Sequence, residues 1–187
     1  MDNTPDTLPE ILASEEVFRG RVVELFVDTV REGEKTYRRE VVRHPGGACA
    51  VPLFADGTIA LVKQYRHPPA RYVLELPAGK IEPGETPETC ARRELEEEVG
   101  VVAGGFEQLS AFYTTPGFCS EKLWVFLATD LAETARSHEE DEILEIVRLP
   151  LGRALSMVAS GEIEDSKTII GLLLAARARG LDAGPAR

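Results

Sequence analysis

The chain has 187 residues, the size of one ordinary domain, and 43% of them are hydrophobic, enough to build a real core. Its 32 acidic and 21 basic residues leave a net charge of −11, and no Lys/Arg stripe reverses that field locally, so nucleic acid is excluded as an expected partner. The three cysteines, Cys49, Cys90 and Cys119, form no CxxC pair, which excludes a disulfide framework and a zinc site from expectation.

The opening MDNTPDTLPEILASEEVF is acidic and lacks the basic-then-apolar pattern of a secretion signal, so residues 1–14 are expected to be a mobile leader. VFRGRVVELFVDTVREGEKTYRREVVRH then reads as two β-rich runs around the turn REGEK, an N-terminal antiparallel β-segment over 15–45. ACAVPLFADGTIALVKQYRH repeats the form, with Asp56-Gly57 as its turn signal. From Leu74 to Pro87 recurrent Pro and Gly forbid a continuous helix. A helix is expected after Thr86, an N-cap followed by Pro87, with Gly100 as its stop. FEQLSAFYTTP and EKLWVFLATDL read as strands either side of a turn at PGFCS. SHEEDE reads as a charged loop, ILEIVRLP as a further strand, and 151–180 as helical with a break near Gly161. The longest apolar run, IIGLLLAA, is too short to cross a bilayer, so no membrane association and a reducing, cytoplasmic compartment are expected. The order of elements predicts an α/β (α+β) fold, a mixed β-sheet sandwiched between helices. The main domain is expected over 46–182, with a short tail at 183–187.

The helix carries an unusual charge. Glu94, Glu96, Glu97 and Glu98 fall within five positions, and like charges at helical neighbour spacing repel by a few tenths of a kcal/mol per pair. Ala91, Leu95 and Val99 form an apolar stripe that would face the sheet, with Glu94 and Glu98 along its border and Glu97 beside them. Arg93 would lie on a neighbouring face. Carboxylates without enough basic partners are protonated, pushed into solvent or bound to a cation; a solvated acidic face is the ordinary outcome, and hard divalent ions such as Mg²⁺ or Mn²⁺ are the alternative.

Gly79, Glu85, Arg93-Glu94-Leu95, Glu97-Glu98 and Gly100-Val101, at their spacings, resemble the signature of the Nudix hydrolases, which cleave nucleoside diphosphates linked to another moiety. The resemblance implies a Nudix fold and Mg²⁺ or Mn²⁺ as cofactor. The ions would be held by Glu94, Glu97 and Glu98, and would balance the glutamates. It also implies that Arg93 orients those carboxylates, that Glu85 braces the loop against the helix, and that Gly79 and Gly100 are shape residues. QYRH followed by ELPAGKIEPGE, and Pro116 sixteen residues past Gly100, resemble the ADP-ribose pyrophosphatase branch in particular. That branch implies the Ala78 carbonyl as a further metal ligand supported by Glu75, Arg66 on substrate phosphate, and Glu140 or Glu142 of EEDEILEIV as general base. It also implies Phe118 and Glu121 near the site, Arg39 reaching a partner chain's substrate, and a homodimer built through Val17–His44. His44, His67 and His138 are expected to be structural, and Cys90 to serve packing. The expected reaction is hydrolysis of ADP-ribose to AMP and ribose 5-phosphate. The alternatives are another nucleoside-diphosphate sugar such as GDP-mannose, or a sensor that binds ADP-ribose without turnover.

Overall fold

The computed structural model describes residues 7–136 and 144–181. They divide into two compact units: one holds the described residues up to Gly46 together with Tyr113–Lys122, the other Gly47–Phe112 and the described residues from Leu123 onward.

The first unit is an antiparallel sheet of β1 (Glu10–Arg19), β2 (Glu24–Glu32) and β3 (Lys35–Arg43), in that order. The β2–β3 turn falls at Gly33, within the REGEK turn read from the sequence, with φ +59°. The leader expectation needs correction at its end, because β1 begins at Glu10 and pairs Glu10 with Arg31 and Ile11 with Val30. Every residue of β1 is exposed, so it shows no alternation of buried and exposed side chains, the pattern that betrays a strand in sequence. The segment is accordingly three strands rather than two runs. Tyr113–Lys122 is tied to β3, since Val42 donates to the Phe118 carbonyl and Ser120 donates to that of Val42.

The second unit contains two sheets. A mixed four-stranded sheet has the order β7 (Ala78–Lys80), β4 (Gly47–Pro52), β9 (Lys122–Glu133), β8 (Val101–Tyr113), with β4 antiparallel to β7 and parallel to β9. An antiparallel sheet has the order β10 (Leu144–Pro150), β5 (Thr58–Arg66), β6 (Arg71–Glu75). Helices α1 (Pro87–Glu94), α2 (Leu151–Ser160) and α3 (Ser166–Ala178) complete it. The mixed sheet expected from sequence is thus present, accompanied by a separate antiparallel one.

The period-two geometry of strands explains how two cores arise from the same strands. Cys49 and Val51 of β4, Ile59 and Leu61 of β5, and Leu123, Val125 and Leu127 of β9 join Leu151, Ala154, Leu172 and Ala175 of α2 and α3. The alternate residues Ala48, Ala50, Ala60, Val62 and Phe126 join Cys90, Ala91 and Leu95 on the side of α1. A strand covered on both faces has no polar side to show, which is why GACAVP of β4 is buried at every position. Each large aliphatic side chain so buried contributes about 1.5–3 kcal/mol.

Helix α3 lies close on its core at Gly171. A Cβ there would stand 2.5 Å from Leu76 Cδ1, 3.2 Å from Val51 Cγ2 and 3.3 Å from Val125 Cγ1, all on buried side chains. Gly171→Val is therefore expected to destabilise the protein by about 1–3 kcal/mol through overpacking. A urea titration checks this: a lower midpoint at unchanged slope is expected, and an unmoved midpoint would contradict the close approach.

Candidate active site

The acidic helix is built by local rules. Thr86 accepts from Thr89 N (3.2 Å) while Thr89 Oγ1 accepts from Thr86 N (2.8 Å), a reciprocal cap, and Pro87 fills the first helical position. The chain leaves α1 through a π-helical turn, Leu95–Val99, that the sequence reading took as ordinary helix. The turn ends at Gly100, whose φ of +75° is the left-handed conformation that favours glycine. Ala91, Leu95 and Val99 are all buried, as the stripe required.

The close fit of helix and strand is most severe at Gly79 in β7. A Cβ there would lie 1.6 Å from Glu94 Oε1 and 2.1 Å from Glu94 Cδ, so the Glu94 carboxylate occupies the place of a side chain. Cys90 packs in the same region, its Sγ 3.6 Å from the Gly79 carbonyl oxygen. Burial, with the charge of Glu94 added, pushes its thiol up to about 12, which leaves it an unreactive packing group.

Arg93 is the cation of the box. Its Nε donates to Glu85 Oε1 (2.8 Å) and its Nη2 to Glu85 Oε2 (3.2 Å), while Nη1 donates to both Glu94 Oε1 (2.6 Å) and Glu97 Oε2 (2.9 Å). From its neighbouring face of the helix, this long flexible side chain reaches three acids at once. The hydrogen bonds to Glu85, then the charge of Glu94, raise the guanidinium further above its already high value. Glu85 is lowered in turn by the hydrogen bond from Arg93. Its Oε2 also accepts from Glu82 N (2.9 Å), so Glu85 links loop to helix.

Glu98 is 2% exposed, and its Oε2 accepts from Ala78 N–H (3.0 Å). Among the described residues, no three His, Cys, Asp or Glu side chains converge as a ready metal cage; Glu94 and Glu97 are turned onto Arg93 instead. The donor set is nevertheless all hard oxygen, with Glu94 and Glu97 sharing one nitrogen and Glu98 fixed to the Ala78 peptide. That chemistry fits a hard divalent cation bound through one or two carboxylates and water.

Glu75 and Arg66 belong to the same unit as the box, and the charge of Glu98 is felt at Arg66. Glu75, 3% exposed, takes Arg66 in a bidentate pair, Nε to Oε1 at 2.7 Å and Nη2 to Oε2 at 2.9 Å. Lys167 also donates to Glu75 Oε2 and lies 3.1 Å from Asp165 Oδ2. Lys167 was missed by the sequence reading. Asp165 and Thr168 show the spacing of a helix cap, but nothing local joins Lys167 to a glutamate 92 positions away. A cavity of about 440 Å³ is lined by Arg66, Arg71, Val73, Glu75, Asp165 and Lys167.

Arg39, Phe118 and Glu121 belong to the first unit. Arg39 stacks on the Tyr37 ring at 4.1 Å and, with Tyr113, Phe118 and Cys119, lines a cavity of about 540 Å³. Glu121 accepts from Thr114 Oγ1 (2.7 Å) and lies 3.4 Å from His44 Nδ1, which itself accepts from Gly46 N (3.1 Å). Glu140, Glu142 and His138 lie outside the described residues.

Burial pushes the Glu75 carboxyl upward, but the hydrogen bond from Arg66 and the charge of Lys167 outweigh it, so it ionises below the usual 4.5. A carboxyl that ionises more readily folded than unfolded binds fewer protons in the native state. Its contribution to stability is complete above pH 4.5 and is lost as pH falls through the lower folded value. Glu75→Gln is therefore expected to flatten the acid loss of stability below pH 4.5, read as urea midpoints between pH 3 and 7. Parallel curves for the two proteins would contradict it.

The NUDIX domain family model matches residues 43–169. An ADP-ribose pyrophosphatase of Bacillus subtilis (strain 168) is 44% identical over 160 residues, covering 84% of this chain and 86% of that protein. An ADP-ribose pyrophosphatase of Mycobacterium tuberculosis is 39% identical over 168 residues, 88% and 81% of the two chains. A solved structure described as an ADP compounds hydrolase superposes with a TM-score of 0.80 at 26% identity, over 94% of this chain and 97% of its own. Among the described residues no helix is long and apolar enough to cross a membrane.

Proposed function

The chain belongs to the Nudix family of hydrolases, and on that premise we propose that it hydrolyses the diphosphate bond of ADP-ribose to AMP and ribose 5-phosphate. The observation that carries this reading is the Arg93 knot, which holds Glu94 and Glu97 side by side while Ala78 N–H holds Glu98.

Nudix hydrolases generally need a divalent metal ion. Here the ion is proposed to be Mg²⁺ or Mn²⁺, held by Glu94, Glu97, Glu98 and the Ala78 carbonyl. When bound, it supplies positive charge against the diphosphate oxygens and makes a water more acidic. The protein's own part is to fix the geometry. Arg93 holds the Glu94 and Glu97 carboxylates on one nitrogen, and Glu85 keeps Arg93 in place. Arg66 uses Nε and Nη2 on Glu75, which leaves Nη1 for a phosphate oxygen. Glu140 or Glu142 takes the proton of the attacking water as its oxygen joins phosphorus and the bridging oxygen leaves. Phe118 and Glu121 are proposed as substrate contacts, and Arg39, whose guanidinium lies over the Tyr37 ring, as a residue that reaches the substrate of a second copy of the chain.

Assembly as a homodimer is proposed, supported by β1, which exposes Ile11, Leu12, Val17 and Phe18 along a long edge strand. Uncovered strands of that kind favour pairing with a second chain. A reducing, cytoplasmic location fits the free, buried thiols of Cys49 and Cys90.

Turnover of ADP-ribose, GDP-mannose and other nucleotide sugars with Mg²⁺ tests the substrate. ADP-ribose is expected to give the highest kcat/KM; preference for GDP-mannose would overturn that choice, and tight binding of ADP-ribose without turnover would make the protein a sensor. Glu97→Gln and Glu98→Gln are expected to lower kcat at least about 10²-fold with the thermal melt retained, as is whichever of Glu140→Gln and Glu142→Gln removes the base. Sedimentation at micromolar concentration is expected to give a dimer; a monomer would refute the assembly.

A further inference from the structure

Charges of opposite sign alternate along a path from the start of α3 to the exposed guanidinium of Arg66. Asp165 is the N-cap of this helix, and its Oδ2 accepts from both Thr168 N (2.9 Å) and Thr168 Oγ1 (2.6 Å). The partial positive charge of the helix start adds to these bonds and stabilises the carboxylate. Lys167 follows at 3.1 Å from that same oxygen, then Glu75, then Arg66. The three inner members are nearly out of solvent, with side chains 18%, 13% and 3% exposed, whereas Arg66 is 43% exposed. Among the described residues, Arg66 Nη1 makes no hydrogen bond.

We infer that Lys167 is a positioning residue for substrate, acting through Glu75 to fix Arg66 and leave it cationic toward a diphosphate. The reasoning is electrostatic. An isolated Arg–Glu pair is neutral and attracts an anion weakly. A second cation on Glu75 Oε2, the oxygen that also takes Arg66 Nη2, competes for that carboxylate's charge and leaves less of it on Arg66, while Asp165 balances Lys167 from the start of the helix. The interior of the path is poorly screened, so these charges act on one another more strongly than surface pairs do.

Geometry works in the same direction. Leu76 N, next to Glu75, donates to Thr168 Oγ1 at 2.8 Å, and that contact is wholly buried. Glu75 is thus gripped by its side chain through Lys167 and by its neighbouring peptide through Thr168, both from the first turn of one helix. Arg66 inherits a carboxylate that cannot rotate away. Arg71, paired with Glu164 at 2.5 Å, lines the same cavity without joining the path.

The inference rests on the hydrolase reading, so the test begins with wild-type kinetics on ADP-ribose; absence of turnover there would defeat that reading and not the role of Lys167. With an active wild type, Lys167→Met is expected to raise KM about tenfold and to change kcat less than threefold, the pattern of a lost interaction common to bound substrate and transition state. Lys167→Arg, which keeps the cation, is expected to recover most of the KM. In an Arg66→Ala background, Lys167→Met is expected to add less than a twofold effect, because the path then ends on nothing. Calorimetric titration with AMP serves as a readout independent of turnover, with affinity following KM. A KM unchanged by Lys167→Met, or a full effect persisting without Arg66, would overturn the inference. If Lys167→Met does not fold, Lys167→Gln takes its place, and failure of both to fold would assign Lys167 to structure alone.

Discussion

The arrangement of the box depends on one steric constraint, the contact of the Glu94 carboxylate with the Cα of Gly79. Any side chain at this position would displace the carboxylate, since a Cβ would meet Glu94 Oε1 at 1.6 Å. With strand and helix this close, Ala78 N–H comes within reach of Glu98, and Arg93 lies between the acids of loop and helix. Small side chains continue the theme on this face of the sheets, where Ala48, Ala50 and Ala60 pack with Ala91. The opposite core beneath α2 and α3 is richer in large aliphatic residues, among them Val51, Ile59, Leu61, Leu76 and Leu172.

Burying acids on a chain of net charge −11 is costly unless each is met by a donor. Two different solutions occur. In the box, one arginine is shared among Glu85, Glu94 and Glu97, which leaves those carboxylates short of full compensation and open to a further cation. At Glu75, two cations serve one carboxylate, Asp165 balances Lys167 on the inner side, and Arg66 stands at the exposed end of the series. The first arrangement suits a group that must accept positive charge, the second a group that must present it.

Local signals were the readable ones. Thr86-Pro87, Gly100, the turns at Gly57 and Gly33, and the break at Gly161 are decided within a few residues of themselves, and the sequence marks each. β1 was not readable, because a strand exposed on both faces carries no hydrophobic period. Lys167 and Thr168 were hidden for another reason: their partners Glu75 and Leu76 are 92 residues distant, and pairing over that span is a property of the fold. The box glutamates could be picked out by spacing, but their attachment to Arg93 depended on how far a guanidinium reaches, which a helical wheel does not represent.

The π-helical turn at Leu95–Val99 gives the spacing of the motif a mechanical meaning. Such a turn accommodates one residue more than a regular helix would, at a cost in hydrogen-bond geometry. Removing a single residue from it would restore the regular helix and leave the elements downstream nearly in place, but would change the direction in which the glutamates inside the turn leave the axis. Glu97 and Glu98 keep their bearings only while that surplus residue stays. Interchange of side chains at Glu96, whose place the motif leaves open, is thus a milder insult than any change in the length of the segment.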